Sequence, residues 1–194
     1  MNLPHIKTPL SVEAYLEGEL HAEVRHEYLA GEVYAMTGAS RAHNLIAGNL
    51  FTALHTHLRG GPFRVFMSDM KLRLRHARED YFYYPDLMVT CRAEDNARYW
   101  CEQPALIVEV LSESTERTDS REKLFAYQHI AALQEYLLLA QDRRVATLFR
   151  RAEEEWSVTR LGGGDTLELA SVGLSVPLER IYEGIGEEDG EAGT

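Results

Sequence analysis

The sequence has few cysteines and no long apolar segment. Its 194 residues include only Cys91 and Cys101, and without a second pair or C-x-x-C spacing these form neither a disulfide framework nor a zinc knuckle. No apolar run approaches the roughly 20 residues that span a bilayer, and no glycine-rich nucleotide loop follows a predicted strand. The first residues also lack the basic start and apolar block of a secretory signal. We therefore expect a cytoplasmic protein without a membrane segment or a nucleotide cofactor.

Basic residues are scarce as well. The 20 Lys and Arg residues against 31 Asp and Glu residues give a formal net charge of -11. Five acidic residues lie in a carboxyl-terminal stretch without Lys or Arg, and the rest of the chain still carries about -6 by the same formal count. Because proteins that bind nucleic acid through phosphates usually present a basic surface, this balance counts against a nuclease. We predict one domain, residues 1–182, followed by an acidic flexible tail, residues 183–194.

The amino-terminal part of the chain predicts a helix, a hairpin and a long helix. Ser11 is a typical cap for a short helix. Residues 27–36 favour two short strands around a turn at Ala30-Gly31. Ser40 then precedes apolar residues at every fourth position, a helical pattern that ends at Gly60.

Strands dominate the remainder. Residues 105–111 form an almost unbroken apolar run, typical of a central strand covered on both faces. A second long helix is predicted from Asp119, which forms a capping-box pattern with Glu122. The fold class is therefore α/β of mixed α+β type, a central mixed sheet flanked by helices, with an amino-terminal hairpin and carboxyl-terminal strands. The other predicted strands cover residues 63–74, 81–90, 135–140, 145–150 and 156–161.

Two acidic residues lie in or beside predicted buried strands. Asp86 follows Pro85 at the start of an apolar run, and Glu109 lies inside the run of residues 105–111. A buried carboxylate is costly unless a cation or hydrogen bonds compensate it, so this pair suggests a shared metal ion. Two alternatives remain: Asp86 as a turn residue after proline, and Glu109 in a structural ion pair with Arg121 or Lys123.

Lys123 completes a possible phosphodiesterase site. Two carboxylates supply hard oxygen ligands for Mg²⁺, and an ammonium group can orient water or offset negative charge on a phosphate. The alternative is a solvated helical lysine paired with Asp119.

Several ordered segments resemble the Uma-two family of restriction endonuclease homologues, within the PD-(D/E)XK nuclease superfamily. The resemblance covers nearly the whole chain. The matching segments are Tyr84-Pro85-Asp86, residues 107–115, residues 119–127 with Lys123, Glu135-Tyr136-Leu137-Leu138, Gly31-Glu32, Trp156, residues 174–178 and Ile181-Tyr182.

This resemblance implies a restriction-endonuclease-like core and a divalent-metal-dependent endonuclease, with Asp86 and Glu109 as Mg²⁺ or Mn²⁺ ligands and DNA as the expected substrate. In the superfamily a lysine follows the second acid by two residues, but Leu111 occupies that position here. The resemblance transfers the lysine's role to Lys123 on the following helix.

Additional site candidates come from elsewhere in the chain. Glu32, and with it Glu27, could add a carboxylate from the hairpin, or be exposed strand residues. His43 could reach the site or a phosphate, and its alternative is a surface or capping role. Tyr127 shares a helix face with Lys123 and could serve the site or packing alone.

One basic stripe could contact phosphates. Lys71, Arg73 and Arg75 alternate along a predicted strand and so share one face, although this is also the pattern of a solvent-facing strand. The competing function is a non-catalytic homo-oligomeric interaction protein that retains the nuclease fold. A homo-oligomer, expected to be a dimer, is compatible with both.

Overall fold

Strands are the main elements of the computed structural model. It describes residues 9–36, 38–91, 93, 95–111, 119–153 and 155–186, with backbone alone at 119–121. The helices are α1 (Val12–Glu19), α2 (Arg41–His57), α3 (Asp119–Tyr127) and α4 (Leu178–Ile181). The strands are β1 (His26–Leu29), β2 (Glu32–Ala35), β3 (Arg64–Met67), β4 (Lys71–His76), β5 (Glu79–Tyr83), β6 (Leu87–Thr90), β7 (Trp100–Cys101), β8 (Pro104–Leu111), β9 (Glu135–Ala140), β10 (Ala146–Ala152), β11 (Glu155–Leu161), β12 (Thr166–Leu169) and β13 (Leu174–Pro177).

The main sheet has six strands in the order β11-β10-β9-β8-β6-β3. The β8 and β9 strands are parallel, and the other neighbouring pairs are antiparallel, so the sheet is mixed. The predicted central strand is confirmed, because β8 lies between β6 and β9 and most of its residues are buried. The predicted cap of α1 is also confirmed, because Ser11 accepts a hydrogen bond from the amide of Ala14. Ser40, which the sequence placed before α2, caps that helix in the same way by accepting from the amide of His43.

A second sheet of five strands has the order β2-β1-β5-β4-β7. The predicted hairpin supplies β1 and β2, and Ala30 and Gly31 in its turn have φ of 49° and 101°. Glycine tolerates such a backbone angle without a steric penalty. The pair β7 and β4 is parallel and was not predicted, since β7 is only two residues long.

Two predicted strands were wrong because each is divided between the sheets. Residues 63–74 form β3 in the main sheet and β4 in the second sheet, with a turn at Ser68, whose φ is 36°. Residues 81–90 likewise form β5 and β6, on either side of Pro85. Proline has no amide hydrogen to donate to a ladder, which favours a break at this point. The break between β5 and β6 places Asp86 where the chain passes from the second sheet to the main sheet.

The main sheet is covered differently on its two faces. One face packs against α2, α4 and the β12-β13 hairpin, around fully buried Leu50, Leu87 and Leu106. The other packs against β4, β5 and α3, around Tyr83 and Tyr127. Burying each of these leucine side chains stabilises the fold by about 1.5–3 kcal/mol. The prediction that helices flank the main sheet is therefore confirmed on one face, whereas the second sheet covers much of the other face.

The second long helix is shorter than expected, nine residues in α3, and the side chain of its predicted cap, Asp119, lies outside the described residues. Ile185 packs against the main core, so the packed chain extends past residue 183, and residues 187–194 lie outside the description. No helix in the described ranges is long and apolar enough to cross a membrane.

Candidate active site

Asp86 lies just before β6, where the chain passes from the second sheet to the main sheet. Its Oδ2 atom accepts a hydrogen bond of 2.7 Å from the backbone amide of Val110 on β8. The same oxygen lies 3.1 Å from Nε2 of His43 near the start of α2. These two contacts, from a strand and a helix, fix the carboxylate beside the end of β8.

Glu109 is on β8 and lies next to Asp86 in the sheet. The β6–β8 register pairs Leu87 with Val108, and extending it by one residue places Asp86 beside Glu109. The buried Glu109 side chain accepts a hydrogen bond of 3.1 Å from the hydroxyl of Tyr127. The two acids predicted from sequence therefore meet at the same edge of adjacent strands.

Lys123 approaches these carboxylates from α3. Its Nζ atom lies 3.4 Å from Oε1 of Glu109 and 3.0 Å from Oε1 of Glu27 on β1. Only 9% of the Lys123 side chain is exposed, so it is not a solvated helical lysine. A buried ammonium group needs nearby negative charge to offset its desolvation, and two carboxylates supply it here.

These groups face a cleft and are not sealed inside the protein. The cleft has a volume of about 790 Å³ and lies between the hairpin, the start of α2 and the ends of β6 and β8. Its wall includes Glu27, Asp86 and Glu109 together with Lys123 and His43, and two further acids, Glu23 and Asp69, also line it. The side chains of the first five residues are largely buried, with 7–19% of each exposed.

Tyr127 is fully buried behind Glu109. Burial raises the pKa of its phenol well above the ordinary value, and the Glu109 charge adds to the effect. The phenol consequently stays protonated and donates to the carboxylate. Its ring also packs edge-on against Tyr83 and Tyr136, so Tyr127 serves both the site and the core.

The hairpin contributes Glu27 to the cleft and leaves Glu32 outside its wall. Glu27 pairs with Tyr34 and Leu29 pairs with Glu32, so both acids share a face but Glu32 is nearer the turn. Glu32 is exposed and accepts a hydrogen bond from the Tyr34 hydroxyl. The sequence pattern is the same for Glu27 and Glu32, so it cannot show which of them lines the cleft. The position of the hairpin next to α3 makes the difference.

Each residue of the predicted phosphate stripe has a partner within the protein. Lys71 is buried, with Nζ 5.3 Å from the centre of the Tyr84 ring, and desolvation lowers its pKa. Arg73 and Arg75 lie 2.8 Å and 3.2 Å from Oδ1 of Asp80. Of the three, Arg75 is the most exposed.

The donor set at the cleft fits a hard divalent cation without forming a complete cage. Across the described ranges, no group of three or more His, Cys, Asp or Glu residues is arranged to hold a metal ion. Mg²⁺ needs less, because it is usually bound through one or two carboxylates together with water and substrate oxygens. Asp86 and Glu109 meet that requirement.

The fold is that of a restriction-endonuclease-like protein. The structure resembles a crystal structure from Anabaena variabilis titled as a "putative nuclease belonging to DUF820", with a TM-score of 0.70, 16% identity, and coverage of 90% of this chain and 98% of that chain.

The chain belongs to the Uma2 family, described as "Putative restriction endonuclease", whose model matches residues 12–179. Two uncharacterized proteins of Synechocystis sp. are also similar. One is 36% identical, covering 91% of this chain and 93% of its own, and the other is 34% identical, covering 79% and 88%. The predicted family is confirmed, and restriction-endonuclease-like families generally use divalent metals.

Proposed function

We propose that the protein is a divalent-metal-dependent endonuclease that hydrolyses phosphodiester bonds, with DNA as its substrate. The observation that carries the proposal is the convergence of Asp86, Glu109 and Lys123 on one open cleft. Membership of a family described as restriction endonucleases supports the reaction class. The alternative of a non-catalytic interaction protein does not by itself call for two acids and a lysine to line the same cleft.

Asp86 and Glu109 would hold Mg²⁺ or Mn²⁺. When bound, the ion would polarise the phosphate and lower the pKa of a coordinated water molecule. The chain keeps both carboxylates in place through separate contacts: Val110 and His43 hold Asp86, and Tyr127 holds Glu109. Such outer contacts orient metal-binding carboxylates.

Lys123 would act on the substrate. Its ammonium group lies beside Glu109 and lines the cleft, so it can stabilise negative charge on a phosphate that enters there. Glu27 also pairs with the ammonium group, at 3.0 Å, and so helps to fix its position. Two carboxylates already neutralise the ammonium group. Lys123 would therefore act on a phosphate in direct contact with it and would not make the surrounding surface basic.

Two arginines that could contact the substrate are also paired with carboxylates. Arg25 at the cleft wall is paired with Asp69 at 3.2 Å, and Arg75 is paired with Asp80. The role of Lys71, Arg73 and Arg75 in nucleic-acid binding stays a prediction, as do a cytoplasmic location and a homodimer. Because the described cations at the cleft, Lys123 and Arg25, are both paired with carboxylates, we expect weak binding to DNA without the metal.

A cleavage assay with matched variants tests the proposal. Purified wild type and Asp86→Asn would be compared on single-stranded DNA, double-stranded DNA and RNA with Mg²⁺, Mn²⁺ or a chelator. We expect metal-dependent DNA cleavage that Asp86→Asn lowers by about 100-fold or more, since loss of even an outer contact to a metal ligand costs about 10–100-fold. Glu32→Gln, exposed and outside the cleft wall, is the control and should cleave normally.

Two results would contradict the proposal. Equal cleavage by Asp86→Asn would assign the activity to a contaminant or another site. A wild-type protein that neither cleaves nor binds Mn²⁺ would favour the interaction-protein alternative.

A further inference from the structure

A buried carboxylate lies behind the cleft and takes no part in the reaction proposed above. Glu19, the last residue of α1, is 7% exposed. Its Oε2 atom accepts a hydrogen bond of 2.7 Å from the hydroxyl of Tyr84, and its Oε1 atom lies 2.8 Å from Nδ1 of His26. The backbone amide of His26 donates to Oε2 as well, at 3.4 Å. One side chain thus joins two segments that are distant in sequence.

Both of these segments carry an acid of the cleft. His26 immediately precedes Glu27, and Tyr84 is two residues before Asp86. A second contact from α1 strengthens the first attachment, because the Tyr15 hydroxyl donates to the backbone carbonyl of His26 at 2.7 Å. Helix α1 therefore holds His26 through its ring, its amide and its carbonyl.

The charge of Glu19 is compensated within the same cluster. Lys71 is buried next to Tyr84, and the negative charge of Glu19 opposes the effect of desolvation on the Lys71 pKa. A buried carboxylate with several donors and a nearby ammonium group is stable only in a fixed arrangement, since each lost partner leaves a desolvated charge. The cluster should therefore hold the segments of His26 and Tyr84 in fixed positions relative to each other.

We infer that Glu19 is a positioning residue, which holds the segments of His26 and Tyr84 together so that Glu27 and Asp86 face the same cleft. The catalytic part of this inference rests on the function proposed above. Removing the carboxylate should displace Asp86 relative to β8, and displacements of about 1 Å at a reacting centre can cost about 100-fold in rate.

Glu135 provides a matched control. It is also a buried carboxylate with several donors, from Arg150, Ala170 and Ser171, but it holds the loop after β12 and lies outside the cleft wall. Glu19→Gln and Glu135→Gln should both lower the melting temperature. Only Glu19→Gln should also lower kcat, by about tenfold or more, with KM for DNA within about twofold.

A measurement without substrate tests the position directly. The amide proton of Val110 donates to Asp86, so its NMR chemical shift and exchange rate report the place of that carboxylate. We expect both to change in Glu19→Gln and to stay unchanged in Glu135→Gln. Tyr84→Phe removes one donor to Glu19 with little change in packing, and should give the same change if Glu19→Gln does not fold.

The outcomes separate this inference from the proposed function. An unchanged Val110 amide in Glu19→Gln, or in Tyr84→Phe where Glu19→Gln is unfolded, would overturn the inference. So would an equal loss of kcat in Glu135→Gln. If the wild type has no nuclease activity, the proposed function fails, and the Val110 amide alone decides whether Glu19 positions Asp86.

Discussion

The amine of Lys123 lies 3.4 Å from Oε1 of Glu109, although the two residues belong to α3 and β8. On β8 itself, the residue two positions after Glu109 is Leu111, which shares its strand face and also lines the cleft. The strand therefore provides no cation at this place. The following helix supplies the ammonium group, and Glu27 completes its neutralisation.

Replacing Lys123 with Met should affect both stability and rate. Without the ammonium group, the carboxylates of Glu27 and Glu109 lose the charge that compensates them. Breaking a buried ion pair in this way costs about 3–5 kcal/mol of stability. The exposure of the three side chains, between 7% and 14%, favours the lower end. We expect kcat to fall at least tenfold, with Mn²⁺ affinity changed less, because Lys123 is not a metal ligand. Urea unfolding and single-turnover cleavage measure the two effects.

The double variant Lys123→Met with Glu27→Gln separates these effects. Neutralising Glu27 removes one of the two charges that Lys123 compensates, so part of the lost stability should return. The cleavage rate should remain low, since the ammonium group is still absent. Recovery of the rate together with the stability would show that Lys123 acts only through folding.

Replacing His43 should reduce activity without unfolding the protein. His43→Ala removes the Nε2 contact to Asp86, while the helix cap is kept because Ser40 accepts from the backbone amide of residue 43. The loss of such an outer contact predicts about a 10–100-fold lower rate. His55→Ala is the control, since His55 stacks on Phe51 further along the same helix and lies outside the cleft wall. A normal rate in His43→Ala would mean that Val110 alone fixes Asp86.

The pair Asp86 and Glu109 could be predicted from sequence because local pattern carried the information. An apolar run around Glu109 identifies a central strand, and a second apolar run begins at Asp86. Adjacent strand ends then bring two acids together. The register of β6 and β8 agrees with this expectation.

The division of strands between two sheets could not be predicted in the same way. Across Ser68 the apolar positions shift from residues 63, 65 and 67 to residues 70, 72 and 74, which marks a break but does not show that β4 joins a second sheet. The role of Glu19 could not be predicted from sequence for a similar reason. A glutamate at the end of a short helix is ordinarily exposed, and its burial depends on contacts with Tyr84 that only the tertiary fold creates.

The buried tyrosines predict a specific loss of stability at alkaline pH. Burial is the largest cause that raises the pKa of Tyr83, Tyr84 and Tyr127, with neighbouring carboxylates contributing. In the unfolded chain these phenols ionise near pH 10. Above that pH the unfolded state binds fewer protons than the folded state, so the free energy of unfolding falls as pH rises, and below it the contribution is fully present.

Absorbance at 295 nm measures this effect directly. Five of the ten tyrosines in the chain should stay protonated in the folded protein above pH 10 and ionise only on unfolding, because burial raises the pKa of Tyr15 and Tyr182 as well as that of these three. Each can contribute up to about 1.4 kcal/mol per pH unit to the fall in stability. Tyr127→Phe should therefore make the urea midpoint less dependent on pH between about 10 and 11 than in wild type. Reversible ionisation of all ten phenols near pH 10, with the circular dichroism spectrum unchanged, would contradict the packing of Tyr127 behind Glu109.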